Sequence, residues 1–191
     1  MGKVIVIEFV TLDGVVEDPD GNEGTPGGGW MWRFGPETVA GDKFKLGPMM
    51  DTGILLLGRK TWEMFSHIWP NQSDEFSDAM NRMAKVVVSR SAPDLNAWSN
   101  SSLLEGELVA GVGRLTLERD VVVAGSTSVV HALAAADAVD EYHLLVFPTA
   151  LGTGRKLFVA PVDLQLTSLE QSSAAVLARY ERPATNATPP A

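Results

Sequence analysis

Ile54-Leu55-Leu56-Leu57-Gly58-Arg59-Lys60-Thr61 decides the reading of this chain. Four branched apolar residues suited to a buried strand end on a glycine, two cations and a hydroxyl. A helix that starts there presents unpaired backbone N–H groups and the positive end of its dipole, which is where a phosphate is held. Gly58 lets backbone approach a ligand, and Arg59 and Lys60 can engage two phosphates, one bidentately and one as a point charge. Gly53 and Gly58 have the spacing of a Walker A loop, but Arg59 intervenes before Lys60 and the residues between are strand-like, so an ordinary P-loop is rejected. Taken alone, the four residues 58 to 61 read equally well as a turn with solvated cations.

The same pattern recurs along the chain. Val4 to Val10 is a β-branched and apolar run that ends at Thr11-Leu12-Asp13-Gly14. Ala84 to Ser89 is a second, stopping at Ser89-Arg90, and Asp120 to Ala124 a third, followed by Gly125-Ser126-Thr127. Helices are expected over Pro36 to Met50, Lys60 to about His67, Ser73 to Met83, Leu103 to about Arg119, and Ser128 to Ala136. Val139 to Phe147 reads as a strand, and Leu164 to Leu169 with Ala174 to Glu181 as a closing hairpin. Strands that alternate with helices and then give way to a hairpin predict an α/β fold, a three-layer α/β/α sandwich with a mostly parallel sheet and an antiparallel C-terminal edge. Residues 1 to 182 form one domain in this reading, and 183 to 191 a disordered tail.

Composition narrows the function. The chain has 191 residues, 45% of them hydrophobic, and a formal net charge of -9. That balance argues against nucleic acid and anionic membrane as partners, because both need a basic face. The absence of cysteine removes disulfides, thiolate nucleophiles and thiolate metal sites. His67, His131 and His143 stand apart, so no metal is expected. With no secretory pattern and no apolar run of membrane-spanning length, the expectation is a soluble, cytoplasmic protein.

In an open α/β sheet, ligands bind outside the carboxyl ends of the strands, so the three phosphate-friendly strand ends converge on one crevice. Asp13, at a strand end, is the first candidate for substrate contact or proton delivery, although an Asx-type turn with Gly14 explains it as well. Glu8, a carboxylate in an apolar strand, is the second, either partly buried with a raised pKa or facing a pocket. The glycine-rich loop from 14 to 35 carries Trp30, Met31, Trp32 and Phe34 and reads as a lid or pocket wall. Trp30 and Trp32 are candidates for stacking on a heteroaromatic ligand, while Trp62 reads as core. Phe147, Gly152 and Gly154 are expected on the opposite wall.

Thr11-Leu12-Asp13-Gly14, Leu57 to Trp62, Val139-Asp140-Glu141 and Leu151-Gly152-Thr153-Gly154-Arg155-Lys156-Leu157-Phe158 together resemble the dihydrofolate reductase superfamily. The closer resemblance is to its branch with the C-terminal reductase domain of the bifunctional riboflavin-biosynthesis deaminase-reductase, over residues 3 to about 182. This resemblance implies an NADPH-dependent reductase, a homodimer, and a small-molecule substrate such as 5-amino-6-(5-phosphoribosylamino)uracil. By position it implies that Gly58, Arg59, Lys60 and Thr61 hold cofactor phosphates. Ser89 and Arg90 would take the adenosine 2′-phosphate side, and Gly125, Ser126 and Thr127 the pyrophosphate near the nicotinamide. A cation at the 2′-phosphate also accounts physically for NADPH over NADH. The segment Pro36 to Asp42 lacks the Trp and acidic residue with which dihydrofolate reductases grip a pterin, so folate is not implied. These 191 residues contain no cysteine and so no zinc motif of the deaminase half, and a stand-alone reductase-type domain is expected. Other pteridine or carbonyl reductions, and a non-catalytic nucleotide- or drug-binding protein on the same fold, are the alternatives.

Overall fold

The computed structural model describes residues 1–183. The apolar runs form strands β1 (Val4–Thr11), β2 (Ile54–Gly58), β3 (Ala84–Val88), β4 (Ser101–Leu103), β5 (Val121–Val123), β6 (Glu141–Phe147), β7 (Gln165–Ser172) and β8 (Ala175–Glu181). Between them lie helices α1 (Met49–Thr52), α2 (Arg59–Ile68), α3 (Glu75–Arg82), α4 (Leu108–Leu115) and α5 (Thr127–Ala135). The strands make one eight-stranded sheet in the order β4-β3-β2-β5-β1-β6-β8-β7. β1 to β6 pair in parallel, and β8 runs antiparallel to both β6 and β7.

The sheet is covered on both faces, which is why its middle strands lack polar alternation. All five residues of β2 and all three of β5 are buried. Leu56 and Val123 join Val4 and Val6 beneath Val112 of α4 and Val129, Val130 and Leu133 of α5. On the other face, Leu55, Leu57 and Val122 meet Trp62 of α2 and Met80 of α3. A third cluster lies under the glycine-rich loop, where Trp30 and Met31 cover Leu145, Phe147, Ala175 and Leu177. The expected three-layer sandwich and C-terminal hairpin are therefore present.

Three expected helices differ from the structure. Pro36 to Met50 holds only a 3-10 turn at Pro36–Thr38 and the short α1. Gly41, Lys45 and Gly47 in this stretch adopt positive φ, and the Asp42 carboxylate accepts from the N–H groups of Leu46 and Gly47 in place of helical carbonyls. The expected helix from Leu103 begins only at Leu108. Residues 101–103 instead add edge strand β4 to β3, and Gly106 turns the chain at φ 76. The helix expected from Ser73 begins at Glu75, because Asp74 rather than Ser73 is its N-cap and accepts from the N–H groups of Phe76 and Ser77. Of the expected tail, residues 184–191 lie outside the described residues. Among the described residues, no helix is long and apolar enough to cross a membrane.

Leu133 is wholly buried between α5 and the sheet. Leu133→Ala is expected to lower the unfolding free energy by about 2–5 kcal/mol through lost transfer energy and a residual cavity, read as a reduced urea midpoint at unchanged slope.

Candidate functional site

The geometry of the site follows from strand order. β2 and β5 are neighbours, yet α2 leaves β2 toward one face and α5 leaves β5 toward the other. The two helix starts therefore flank one crevice at the C-terminal ends of adjacent parallel strands, the topological switch point of the sheet. The Gly58 N–H donates to Gly125 O at 3.0 Å. A Cβ on Gly58 would stand 2.3 Å from Ser126 Oγ and 3.0 Å from Ser126 N, so only glycine allows this approach. The peptide that joins Gly125 to Ser126 is cis, and Gly125 has φ 85.

Both flanking helices begin without a side-chain cap, on Gly58 for α2 and Ser126 for α5. Their first-turn N–H groups accordingly have no side-chain acceptor, whereas those of α3 are occupied by Asp74. The cations nearby are in different states. Arg59 NH1 lies 2.7 Å from Glu63 Oε1, one helical turn on. Lys60 and Arg90 are exposed and make no ion pair or side-chain hydrogen bond among the described residues. Ser89, at the end of β3, accepts from the Ser91 N–H at 3.1 Å. Two uncapped helix starts and two unpaired cations suit a ligand with separated phosphates, and the glycine approach leaves room for it.

Glu8 completes the crevice. It stands in β1, next to β5, and a Cβ on Gly125 would lie 3.3 Å from Thr61 Oγ1 and 3.8 Å from Glu8 Oε1. Thr61 Oγ1 and Glu8 Oε1 therefore both lie close to Gly125. Glu8 makes no hydrogen bond or ion pair among the described residues. The side chain is surrounded by protein on nearly every side yet still reaches solvent, as a group facing a crevice does. Burial pushes its pKa up to about 8, and the charge of Arg155 counters this only in part.

Asp13 is in the opposite condition. Its carboxylate accepts from Thr11 Oγ1 at 2.6 Å, Gly152 N at 2.8 Å, Lys156 Nζ at 3.1 Å and Leu151 N at 3.2 Å. The Thr11 hydroxyl first, then the backbone and the lysine, hold its pKa well below the usual carboxylate range. Asp13 therefore has no proton to deliver at neutral pH; it ties the end of β1 to the 151–156 turn.

The aromatic candidates also change places. Trp30 is wholly buried, donates from its indole to Glu17 O at 2.9 Å, and meets the Phe147 ring edge-on at 5.2 Å. Phe147 is equally buried. Neither offers a face to a ligand; together they hold the loop down. Trp32 remains about half exposed and is held by Asp20 O. Gly152 supplies an N–H to Asp13, and a Cβ on Gly154 would lie 3.2 Å from Glu17 Oε2. Trp62 is core, as expected.

Glu17 and Glu23 were not singled out by sequence reasoning, since nothing local marks them, and Arg155 entered only as one residue of the 151–158 motif. Arg155 NH2 lies 2.9 Å from Glu23 Oε2 and 3.9 Å from Glu17 Oε1, contacts that span more than 130 residues of chain.

Comparison with known proteins bears on the family and the fold. The RibD C-terminal domain matches residues 2–178. The chain belongs to the RibD C-terminal domain family. This is a reductase family of the riboflavin-pathway type whose domains generally use a nicotinamide cofactor. Among curated proteins, the uncharacterized protein YwjB of Bacillus subtilis (strain 168) is 25% identical over 188 residues, 94% of this chain and 98% of that one. The fold is shared with the crystal structure of a putative riboflavin biosynthesis protein from Shewanella sp. PV-4, at TM-score 0.72 and 19% identity over 95% of this chain and 99% of that one. It is shared also with a pyrimidine reductase-like protein from Corynebacterium diphtheriae, at TM-score 0.60 and 11% identity over 94% and 91% of the two chains.

Glu8 generates a stability prediction. With a folded pKa raised from 4.5 to about 8, its ionised form is disfavoured in the fold, so its contribution to stability is lost as pH rises through that interval. Glu8→Gln is expected to stabilise the protein at pH 9 by a few kcal/mol relative to its effect at pH 5. Urea unfolding of both proteins at the two pH values measures this.

Proposed function

We propose that this protein is an NADPH-dependent reductase acting on a small heterocyclic, ribosyl or carbonyl substrate, with Glu8 as the proton donor. The observation that carries the proposal is the position of Glu8, a carboxyl whose pKa burial raises to about 8 and whose Oε1 lies close to Gly125, the residue before the uncapped start of α5. When bound, NADPH supplies a hydride from its nicotinamide ring. The first-turn N–H groups of α2 and α5, with Lys60 and Thr61, hold the pyrophosphate, and Ser89 and Arg90 take the 2′-phosphate. Gly58 and Gly125, lacking side chains, would leave the backbone at the strand ends open to the cofactor. Glu8 then gives its proton to the nitrogen or oxygen that receives the electron pair of the reduced C=N or C=O bond. The Trp30–Phe147 cluster keeps the glycine-rich loop seated beside this point, which limits water access. A homodimer belongs to the same proposal, and sedimentation velocity tests it.

Titration of Trp fluorescence is expected to show NADPH binding in the micromolar range and NADH more weakly. Failure of both cofactors to bind below about 1 mM would reject the reductase reading. Arg90→Ala is expected to cost NADPH at least about tenfold in affinity and NADH little; equal losses would remove the 2′-phosphate assignment. Glu8→Gln is expected to lower kcat about 10²–10⁴-fold with NADPH affinity unchanged. In the native protein, kcat should fall as pH rises through about 8, because the proton of Glu8 is then gone. NADPH binding with no oxidation by any carbonyl or imine compound would favour a non-catalytic binding protein instead.

A further inference from the structure

The two edges of the sheet differ. β4 is three residues long, too short to template a further strand, whereas β7, at the other end of the strand order, runs for eight. None of the eight residues of β7 is buried, and five are exposed. Its outer side carries a row of backbone N–H and C=O groups that pair with no strand among the described residues. An edge of this length is ordinarily blunted by lysine or proline. β7 reads Gln165-Leu166-Thr167-Ser168-Leu169-Glu170-Gln171-Ser172 and contains neither. A bulge between Leu166 and Ser168 shifts the register, while Ser168 to Ser172 pair regularly with β8.

The side chains of this edge are apolar on one face and neutralised on the other. Leu169 is 62% exposed and Leu166 50%, and Val176 of β8 is 37% exposed. Leu166 pairs with Tyr180, Leu169 with Ala178 and Gln171 with Val176, which puts all six on one face of the sheet. Glu170, the only charged residue of the strand, lies on the other face and is already engaged. Lys45 Nζ donates to its Oε2, and Arg179 NH1 lies 3.6 Å from its Oε1. The edge is therefore neutral on a chain whose formal net charge is -9. Two copies of so negative a chain repel one another, and the repulsion is least where the charges are neutralised.

We propose that β7 is the surface on which a second copy of this chain docks, by antiparallel pairing of the two β7 strands about a two-fold axis through Leu169. The two sheets are thereby joined edge to edge. An axis at this residue is self-complementary, as a two-fold contact must be. It sets Leu169 against Leu169 of the second copy, and Ser168 against Glu170 of the second copy, so a hydroxyl faces each carboxylate on either side of an apolar centre. An axis at Glu170 would set the two carboxylates against each other, and like charges directly opposite are destabilising. An axis at Ser168 would set Leu169 against the bulge at Thr167 and Leu166 against Glu170. The inference deepens the homodimer proposed above and rests on it; it is independent of the cofactor and of Glu8.

The chain's lack of cysteine supplies a test. Directly opposed residues of antiparallel strands have Cα atoms about 4.5–5.5 Å apart, within the span of a disulfide. Leu169→Cys is therefore expected to give a covalent dimer under mild oxidation. Leu117→Cys, at a side chain 68% exposed beyond the end of α4, is expected to give none. In sedimentation velocity at micromolar concentration, the native protein and Leu117→Lys are expected to be dimers. Leu169→Lys is expected to be a monomer with unchanged far-UV circular dichroism, its dimer dissociation constant raised at least about a hundredfold. A native protein still monomeric at about 100 µM would overturn the homodimer and this surface together, leaving the edge to a strand of a different protein. A native dimer that Leu169→Lys leaves intact, or in which Leu169→Cys cross-links no faster than Leu117→Cys, would overturn the surface alone. The cysteine variants read out whether or not Leu169→Lys folds. NADPH binding decides the reductase reading separately, since β8 and β6 stand between β7 and β1.

Discussion

The contact between Gly58 and the Gly125–Ser126 peptide is the constraint on which the candidate site depends. It lies where neighbouring parallel strands send their helices to opposite faces, so the chain must separate directly above a paired sheet. Any side chain on Gly58 would push the start of α5 away from the start of α2. With glycine, the two helix starts come together, and their first-turn N–H groups lie side by side without a side-chain cap. Burial of β2 and β5 on both faces fixes this geometry, because neither strand can shift without exposing apolar surface.

Electrostatics then divides the crevice. Among the described residues, Lys60 and Arg90 make no ion pair on one side. On the other side, Asp13 and Lys156 neutralise one another, and Glu23 and Glu17 engage Arg155. Asp13 and Glu8 sit in the same strand region with opposite protonation, for reasons that lie in their surroundings. Asp13 accepts four hydrogen bonds, which favour the ionised form, whereas Glu8 accepts none among the described residues and is enclosed by protein, which favours the neutral form.

The glycine-rich loop is better described as an anchored wall than as a free lid. Trp30 is sunk against Phe147, Asp18 gathers the backbone of residues 21–29, and Arg155 ties Glu23 to the opposite turn. Indole and phenyl rings that look like stacking platforms in sequence are here used for adhesion. Buried aromatic area is more stabilising than a ring held in water, and Trp30 also finds a carbonyl for its N–H.

Much of the architecture was legible because it depends on local pattern. Apolar runs of strand length, helix starts after them and a terminal hairpin give the sandwich, and the Gly58 and Gly125 turns mark the two adjoining helix starts. The irregular stretch from Pro36 to Met50 was not legible, since its pattern suits a helix until Gly41, Asp42 and Gly47 redirect the backbone. Strand β4 was equally hidden, being three residues that exist as a strand only through pairing with β3. The sequence by itself determined the fold class, the family and the strand ends that form the crevice, because each rests on periodicity and on residue types at fixed spacing. Only the tertiary structure decided that Glu8 rather than Asp13 keeps a proton, that Trp30 is buried, and that Glu23 and Glu17 occupy Arg155. Protonation, burial and ion pairing depend on neighbours more than 100 residues away, and no local pattern encodes them.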